Sequence, residues 1–222
     1  MEFGIYVLIQ IKLIRNSCIL LLTLMSIHCF SQKIIEREID ANLINSIEIN
    51  SNSIHRILIV SEKSNSIKIR TRIEGEHHEN VVLSLVEKDN ILFLKSAYSP
   101  FYKAENDKLA AHKVQSIELE LIVPESMEIS ILSTIASVTT KGKFKAISVK
   151  LESGNCILKE FIGDANLKTK EGFISVTTSD KILGNAFSKN GKINNELSKN
   201  KGSKYLIMAE TKEGEISLFQ IH

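Results

Sequence analysis

Residues 151–178 read LESGNCILKEFIGDANLKTKEGFISVTT, two copies of a unit in which alternating apolar residues precede and follow a glycine turn. The unit occurs five times between Ile129 and Leu218. Its turn positions are spaced by 18, 18, 19 and 23 residues and fall at Ala136, Gly154, Gly172, Gly191 and Gly214. Alternation on both sides of a turn is typical of two strands that each bury one face.

The apolar positions form columns when they are counted from the turn. The column seven residues before the turn contains Ile129, Ile147, Ala165, Gly184 and Ile207. The column two residues after the turn contains Val138, Cys156, Ile174, Ile193 and Ile216. A third column, three residues before the turn, mostly carries hydroxyl groups and contains Ser133, Leu151, Thr169, Ser188 and Thr211. Columns of this kind are expected when structural units stack along an axis.

These columns predict an all-β fold with about five regular rungs of a parallel β-solenoid, or β-helix. One unit cannot bury its own apolar row, whereas stacked units bury a continuous one. Glycine suits the bend because it reaches positive φ without Cβ strain, and the hydroxyls can bond to one another or to the backbone there. An antiparallel meander or sandwich also alternates and is the structural alternative. The longest spacing, before Gly214, requires a bulging turn at Asn200–Ser203.

The stretch LIVPESMEISILSTIASVTTKGKF at residues 121–144, together with residues 151–178, resembles the adhesin-like β-strand-repeat proteins of bacterial envelopes. That family includes the "putative auto-transporter adhesin head domains", and the resemblance covers about residues 40–222. It implies a β-helical fold and an exported protein, and it assigns no catalytic residue. Two positions depart from the family pattern: Ala136 replaces the usual glycine of the first turn, and Asn195 interrupts an apolar column.

The first 31 residues have the features of a secretory signal peptide. Lys12 and Arg15 precede the apolar run Cys18–Met25, and HCFSQ follows at residues 28–32. We expect cleavage after Ser31, which predicts an exported protein that is periplasmic, outer-membrane-associated or extracellular. An uncleaved anchor is the alternative, but it would have to accommodate both basic side chains in the membrane.

The three cysteines carry separate expectations. Cys29 could be a lipidation site, although His28 stands where a small residue is expected before it. After cleavage Cys156 is the one cysteine left, so no intrachain disulfide is expected. Its place in an inward column predicts a small buried hydrophobe rather than a nucleophile.

Residues 32–123 are predicted to form a less regular N-terminal β region that starts the sheet and caps the solenoid of residues 124–222. The strand candidates are Ile47–Asn50, Ile57–Val60, Ile67–Ile73, Val81–Val86, Ile91–Lys95 and Ile117–Val123, and EKDN at residues 87–90 is typical of a hairpin turn. Residues 96–113 break the alternation and are long for a connection inside a compact domain. The aromatic side chains Tyr98, Phe101 and Tyr102 make this loop the candidate partner-contact site.

The sequence predicts no catalytic, cofactor-binding or metal-binding residue. His77 and His78 are adjacent and would point to opposite faces of a strand, so we interpret them as part of a solvated loop. Glycosidase chemistry needs two carboxylates about 5–9 Å apart, and Glu152, Glu171 and Glu213 could approach one another at stacked turns. The lysines that neighbour these glutamates favour an ion-paired row instead.

The formal charge of +2 implies no strong field for nucleic acid. Membrane contact is expected only if the first segment or a lipid anchor is retained. The sequence favours an exported, non-catalytic, adhesin-like module that binds a surface glycan or an envelope protein, or that serves as a structural element. A carbohydrate-active enzyme on a β-helix is one alternative, and a periplasmic sensor or regulatory partner is another; all three rest on the fold.

Overall fold

The computed structural model describes residues 12–17, 32–75, 81–98, 116–197 and 202–221. Residues 12–17 are helical, and no helix in the described ranges is both long and apolar enough to cross a membrane. Contacts divide the chain into two compact units, Met1–Ser31 and Gln32–His222. All of the strands that the structure describes belong to the second unit.

The strands follow the alternation of the sequence. In chain order they are β1 (Gln32–Asp40), β2 (Ser46–Asn50), β3 (Ile54–Glu62), β4 (Ser66–Glu74), β5 (Val81–Lys88), β6 (Ile91–Tyr98), β7 (Ser116–Pro124), β8 (Glu128–Ser133), β9 (Ser137–Ser153), β10 (Cys156–Glu171), β11 (Ile174–Thr178), β12 (Ile182–Asn190), β13 (Ile193–Asn195), β14 (Tyr205–Glu213) and β15 (Ile216–Gln220). All six strand candidates of the N-terminal region are confirmed, and β1 has no counterpart among them. The predicted hairpin is also confirmed, because β5 and β6 pair antiparallel around Asp89 and Asn90, which both take positive φ.

These strands form one mixed sheet that curls around a single apolar core. Neighbours are antiparallel where β1 pairs with β4, β4 with β7, and β5 with β6. The other ladders are parallel. The predicted all-β class is therefore confirmed, but a wholly parallel set of about five regular rungs is not shown. The antiparallel strands extend the sheet at one end, where an open parallel edge would invite pairing with other chains.

The five repeat units pair in register, as their columns predict. Ile129 pairs with Ile147, and Ile147 pairs with Ala165. Ala165 pairs next with Ile207, which in turn pairs with Gly184. The third unit (β10 and β11) therefore contacts the fifth unit (β14 and β15), and the fourth unit (β12 and β13) lies beyond it. The stacking order of the last three units thus differs from their order in the sequence.

Two further units from the N-terminal region continue the stack. The strands β2 and β3 pair in parallel with β8 and β9, and β6 and β7 pair in parallel with β2 and β3. We use the name pre-turn layer for the strands before the turns, which are β6, β2, β8, residues 146–153 of β9, residues 164–171 of β10, β14 and β12. The post-turn layer contains β7, β3, residues 137–141 of β9, residues 156–159 of β10, β11, β15 and β13.

Stacked carbonyl groups enforce glycine at the turns. A Cβ on Gly172 would lie 2.1 Å from the carbonyl oxygen of Gly154, and a Cβ on Gly214 would lie 2.1 Å from that of Gly172. These two residues also take φ of 138° and 151°, a region that L side chains disfavour. Ala136 does not have positive φ, so alanine is accepted at the first turn.

The irregular residues of the fourth unit mark the end of the stack. A Cβ on Gly184 would lie 2.8 Å from the Cβ of Leu197, whose side chain is fully buried. The Nδ2 of Asn195 donates to the carbonyl oxygen of Gly184 at 2.8 Å, and its Oδ1 accepts from the N–H of Leu197 at 3.0 Å. Leu197 therefore covers the core beside the last unit, and Asn195 holds it there.

Candidate binding groove

A shallow groove of about 400 Å³ crosses the outer surface of the pre-turn layer. It runs over β2, β8, β9, β10 and β14, which are neighbours in the sheet. Five adjacent strands span roughly 19 Å, because neighbouring strands lie about 4.8 Å apart. The groove can therefore hold an extended ligand that lies across the strands rather than along them.

The floor of the groove is a row of small polar side chains. Ser130, Ser148 and Asn166 are in register on adjacent strands, and all three are exposed. Their sequence neighbours, such as Ile147 and Val149, are buried, so these polar side chains point outward. In the described part of the chain their side chains make no hydrogen bond. Hydroxyl and amide groups both donate and accept, which leaves this row free to bind a ligand rich in either kind of group.

The two ends of the groove differ in chemistry. Glu48 pairs with Ser130 in the ladder and adds a carboxylate at one end. Met208 pairs with Asn166 at the other end and is 46% exposed, which adds an apolar contact. The carboxylate of Asp164 is engaged on the wall, where its Oδ1 accepts from the N–H of Leu206 at 2.9 Å. The groove is thus polar along its floor and apolar beyond β10.

The backbone beneath the groove is already paired. The strands β8, β9 and β10 each have a parallel neighbour on both sides in the pre-turn layer. Their N–H and C=O groups are consumed by the ladders, so a peptide cannot join the sheet there by adding a strand. Recognition in the groove must come from side chains.

A second groove of about 430 Å³ lies on β1, β4 and β7 and is lined largely by charged side chains. Two of its acidic side chains make contacts from β1 to β4: Glu36 Oε1 lies 3.4 Å from Arg70 Nε, and Glu38 Oε1 accepts from the hydroxyl of Ser66 at 2.7 Å. Ion pairs of this kind hold antiparallel neighbours together. We therefore interpret these contacts between β1 and β4 as cross-strand stabilisation.

The turn glutamates lie away from the groove. Glu152 forms an ion pair with Lys170, and Glu213 accepts a hydrogen bond from the Nδ2 of Asn190 at 2.6 Å. Glu171 pairs in the ladder with Glu213, so these two carboxylates are one strand apart, as the stacked turns predict. Among the described residues Glu152 is the one of these three glutamates that forms an ion pair, so the predicted ion-paired row is present at a single turn.

Cys156 is buried in its column between Val138 and Ile174, as predicted. Burial raises the pKa of its thiol to about 12, because the charged thiolate would lose its solvation. The neutral thiol behaves as a small apolar side chain, so Cys156 has no features of a nucleophile.

Most of the predicted contact loop lies outside the residues that the structure describes. Tyr98 ends β6, but its side chain and the residues Phe101 and Tyr102 lie outside the described ranges, as do His77 and His78. In the described ranges no group of three or more His, Cys, Asp or Glu side chains is placed to hold a metal ion.

The groove has a signal in the sequence, which lies in a polar column rather than an apolar one. Its floor occupies the column six residues before the turn. That column contains Ser130, Ser148, Asn166, Asn185 and Met208. Short polar side chains in an outward column leave a depression wherever the flanking columns are longer. The column predicts where the groove lies, but its extent depends on the stacking order.

The fold is similar to that of a solved bacterial protein. The "putative cell adhesion protein" from Clostridium sporogenes superposes with a TM-score of 0.59 at 16% identity, over 86% of this chain and 100% of that chain. A "putative adhesin" from Bacteroides fragilis has a TM-score of 0.38 at 12% identity, over 84% of this chain and 97% of that chain. No family model matches the sequence, and no curated protein matches it. The first similarity shows a shared fold; the auto-transporter head type stays a prediction.

Proposed function

We propose that this protein is an exported, non-catalytic binding module of the cell envelope and that the groove on the pre-turn layer binds an extended surface glycan. The observation that carries the proposal is the row of Ser130, Ser148 and Asn166, three outward polar side chains in register without intramolecular hydrogen bonds among the described residues. A glycan presents hydroxyl groups at regular intervals along its length, and this row presents matching donors and acceptors at each strand.

The chemistry of the groove favours a glycan over a protein partner. A bound peptide strand gains most of its affinity from main-chain hydrogen bonds at a sheet edge, and the strands under the groove have no free edge. Sugar rings also have an apolar face, which the exposed Met208 side chain can contact. The shallow shape and polar floor suit a weak, repeated contact rather than a tight enclosed site.

The stacked ladders make this surface rigid. We infer that the parallel ladders from β6 to β12 and from β7 to β13 form a β-solenoid, which the antiparallel strands cap at one end. Each unit of such a fold is held by its neighbours on both sides. The side chains of the groove are thereby kept at fixed spacing, which lowers the entropy cost of binding.

Export is supported by the first segment. Lys12 and Arg15 precede its apolar run, and the compact unit of strands begins at Gln32, the residue that follows the predicted cleavage site. The fold shared with the "putative cell adhesion protein" of Clostridium sporogenes is in keeping with an envelope location. Mass spectrometry of the protein from fractionated cells tests this step: an N-terminus at Gln32 in the periplasm or medium supports it, and an intact residue 1 in the cytosol contradicts it.

The binding step is tested with a glycan array followed by calorimetry on the best glycan. Ser148→Arg places a long side chain over the floor and should weaken binding on the order of tenfold or more. The matched control is Ser175→Arg, on the outer face of the post-turn layer in β11, which should bind as the original protein does. Equal affinity of both variants would exclude the groove as the binding site.

The proposal that the module binds the glycan without cleaving it is tested with the same glycan. After prolonged incubation with the protein, the glycan should keep its length and reducing-end content. Shortened products that appear with the protein and disappear in a double variant, Glu171→Gln with Glu213→Gln, would instead support the glycosidase alternative.

A further inference from the structure

The fifth repeat unit is inserted between two units that precede it in the sequence. Its strand β14 pairs with β10 on one side and β12 on the other. Its strand β15 likewise pairs with both β11 and β13. In the described residues the ladders of the fourth unit run to the fifth unit, so the fifth unit fills a slot between the third and the fourth.

The slot is closely complementary to the unit that fills it. The side chains of Ile207, Ile216 and Leu218 are fully buried between their neighbours in the columns. The hydroxyl of Ser188 donates to the carbonyl oxygen of Gly214 at 2.9 Å, and that of Thr211 donates to the carbonyl oxygen of Gly172 at 3.2 Å. The fifth unit is therefore held by backbone ladders, apolar columns and turn hydrogen bonds from both sides.

The connection to this unit runs against the direction of stacking. The chain completes the fourth unit, reaches Leu197, and must return past it to begin β14 at Tyr205. Seven residues, 198–204, join these two points. The ladders in the slot are made by residues 205–220, so a strand pair supplied by another molecule would form the same ladders. Exchange of an identical element is a low-cost route to dimers.

We infer that the fifth unit is exchangeable, and that a second copy of this chain can donate its residues 205–220 to the slot. Two copies that exchange reciprocally bury the same apolar columns as two separate copies. The exchange also changes the groove, because two of its lining residues, Leu206 and Met208, belong to β14. In an exchanged dimer each groove takes its apolar end from the partner copy, and the two grooves are linked in one particle.

The test combines a shorter connection with a crosslink. Deletion of Lys199–Lys201 leaves four residues between Leu197 and Tyr205, which hinders self-insertion more than insertion from a partner. Asn185 and Met208 are ladder partners with exposed side chains, so Asn185→Cys with Met208→Cys reports which chain fills the slot. Cys18 and Cys29 are changed to Ser in this background, and Cys156 is buried.

We expect the shortened chain to shift to the mass of a dimer in solution. On a denaturing gel the disulfide engineered between positions 185 and 208 should link two chains, whereas the full-length connection at low protein concentration should give an internal disulfide. A shortened chain that stays monomeric with an internal disulfide would overturn the inference. A dimer whose disulfides are all internal would also overturn it, because the two copies would then associate through another surface.

A second measurement applies if the shortened chain does not fold. The crosslinking variant with its full connection is unfolded and refolded at low and at high protein concentration. Exchange predicts that the share of interchain disulfide rises with concentration during refolding. Internal disulfide alone at both concentrations would overturn the inference without the deletion.

Discussion

The hydroxyl of Thr211 donates a hydrogen bond of 3.2 Å to the carbonyl oxygen of Gly172, which lies 39 residues earlier in the chain and one unit away in the stack. Two other members of the hydroxyl column make the equivalent bond to a turn glycine, Thr169 to Gly154 and Ser188 to Gly214. The expectation that this column bonds to the backbone at the bend is confirmed. Each bond ties the turn of one unit to the end of the strand in the next.

Replacement of Thr211 by Val keeps the shape of the side chain and removes this tie. Thr211→Val should lower the free energy of unfolding by about 1–2 kcal/mol, because the carbonyl oxygen of Gly172 loses the hydrogen bond that the buried Thr211 hydroxyl donates. Thr211→Ser keeps the hydroxyl and should cost less. Urea denaturation measures both, and a serine variant that is less stable than the valine variant would contradict the hydrogen-bond argument.

Two glycines with positive φ, Gly172 at a stacked turn and Gly202 in the connection before β14, should differ sharply in their tolerance of alanine. Gly172→Ala places a Cβ 2.1 Å from the carbonyl oxygen of Gly154 at a φ of 138°, and it should cost about 3 kcal/mol or more. Gly202→Ala meets no atom within 4 Å, so its cost comes from its φ of 83° alone, about 1–2 kcal/mol. Thermal unfolding compares the two. Equal losses would contradict the stacked-turn geometry.

Thr140 places a hydroxyl group in the apolar core. It is fully buried between Ile59 and Leu158 in the ladders, and its Oγ1 has no hydrogen-bond partner in the described residues. Thr140→Val should therefore raise the free energy of unfolding by about 1–2 kcal/mol. The control is Thr178→Val, since the buried hydroxyl of Thr178 accepts from the N–H of Asp180 at 3.0 Å and its loss should destabilise. Chemical denaturation of both variants measures whether each one is more or less stable than the original protein.

Cys156 should make the fold less stable at alkaline pH. Its pKa is raised from 9.0 to about 12 in the folded state, so above pH 9 the unfolded chain releases a proton that the folded chain keeps. The contribution of this thiol to the free energy of unfolding is fully present below pH 9. It falls as pH rises toward 12, by up to about 1.4 kcal/mol per pH unit. Cys156→Ala removes this contribution. The difference in stability between the two proteins, measured at about pH 8 and about pH 10, should shrink with pH; a constant difference would contradict the buried thiol.

Much of the local structure follows from the sequence because strand pairing obeys the residue alternation. The columns that begin at Ile129 and Val138 predict the register in which repeat units pair, and the ladders reproduce that register residue by residue. The two extra units of the N-terminal region are harder to detect. Their connections differ in length, and the stretch of sequence between β6 and β7 contains no glycine.

The stacking order does not follow from the columns, because the fourth and fifth units offer the same column positions to the third. The structure shows which differences decide it. The fifth unit has large aliphatic residues such as Ile207 and Leu218 where the fourth has Gly184 and Asn195. A unit with weak columns suits the end of a stack, where Leu197 supplies the missing apolar cover. The groove also depends on this order, since the order brings Met208 next to Asn166.

The most direct test of the stacking order is a pair of engineered disulfides. Asn166→Cys with Met208→Cys joins ladder partners of the third and fifth units and should oxidise rapidly to a disulfide in the folded protein. Asn166→Cys with Asn185→Cys places one cysteine on the third unit and one on the fourth. The fifth unit separates these two units, so this pair should stay reduced. If the second pair oxidises rapidly and the first does not, the units stack in sequence order. That result would contradict both the insertion of the fifth unit and the placement of Met208 at the end of the groove.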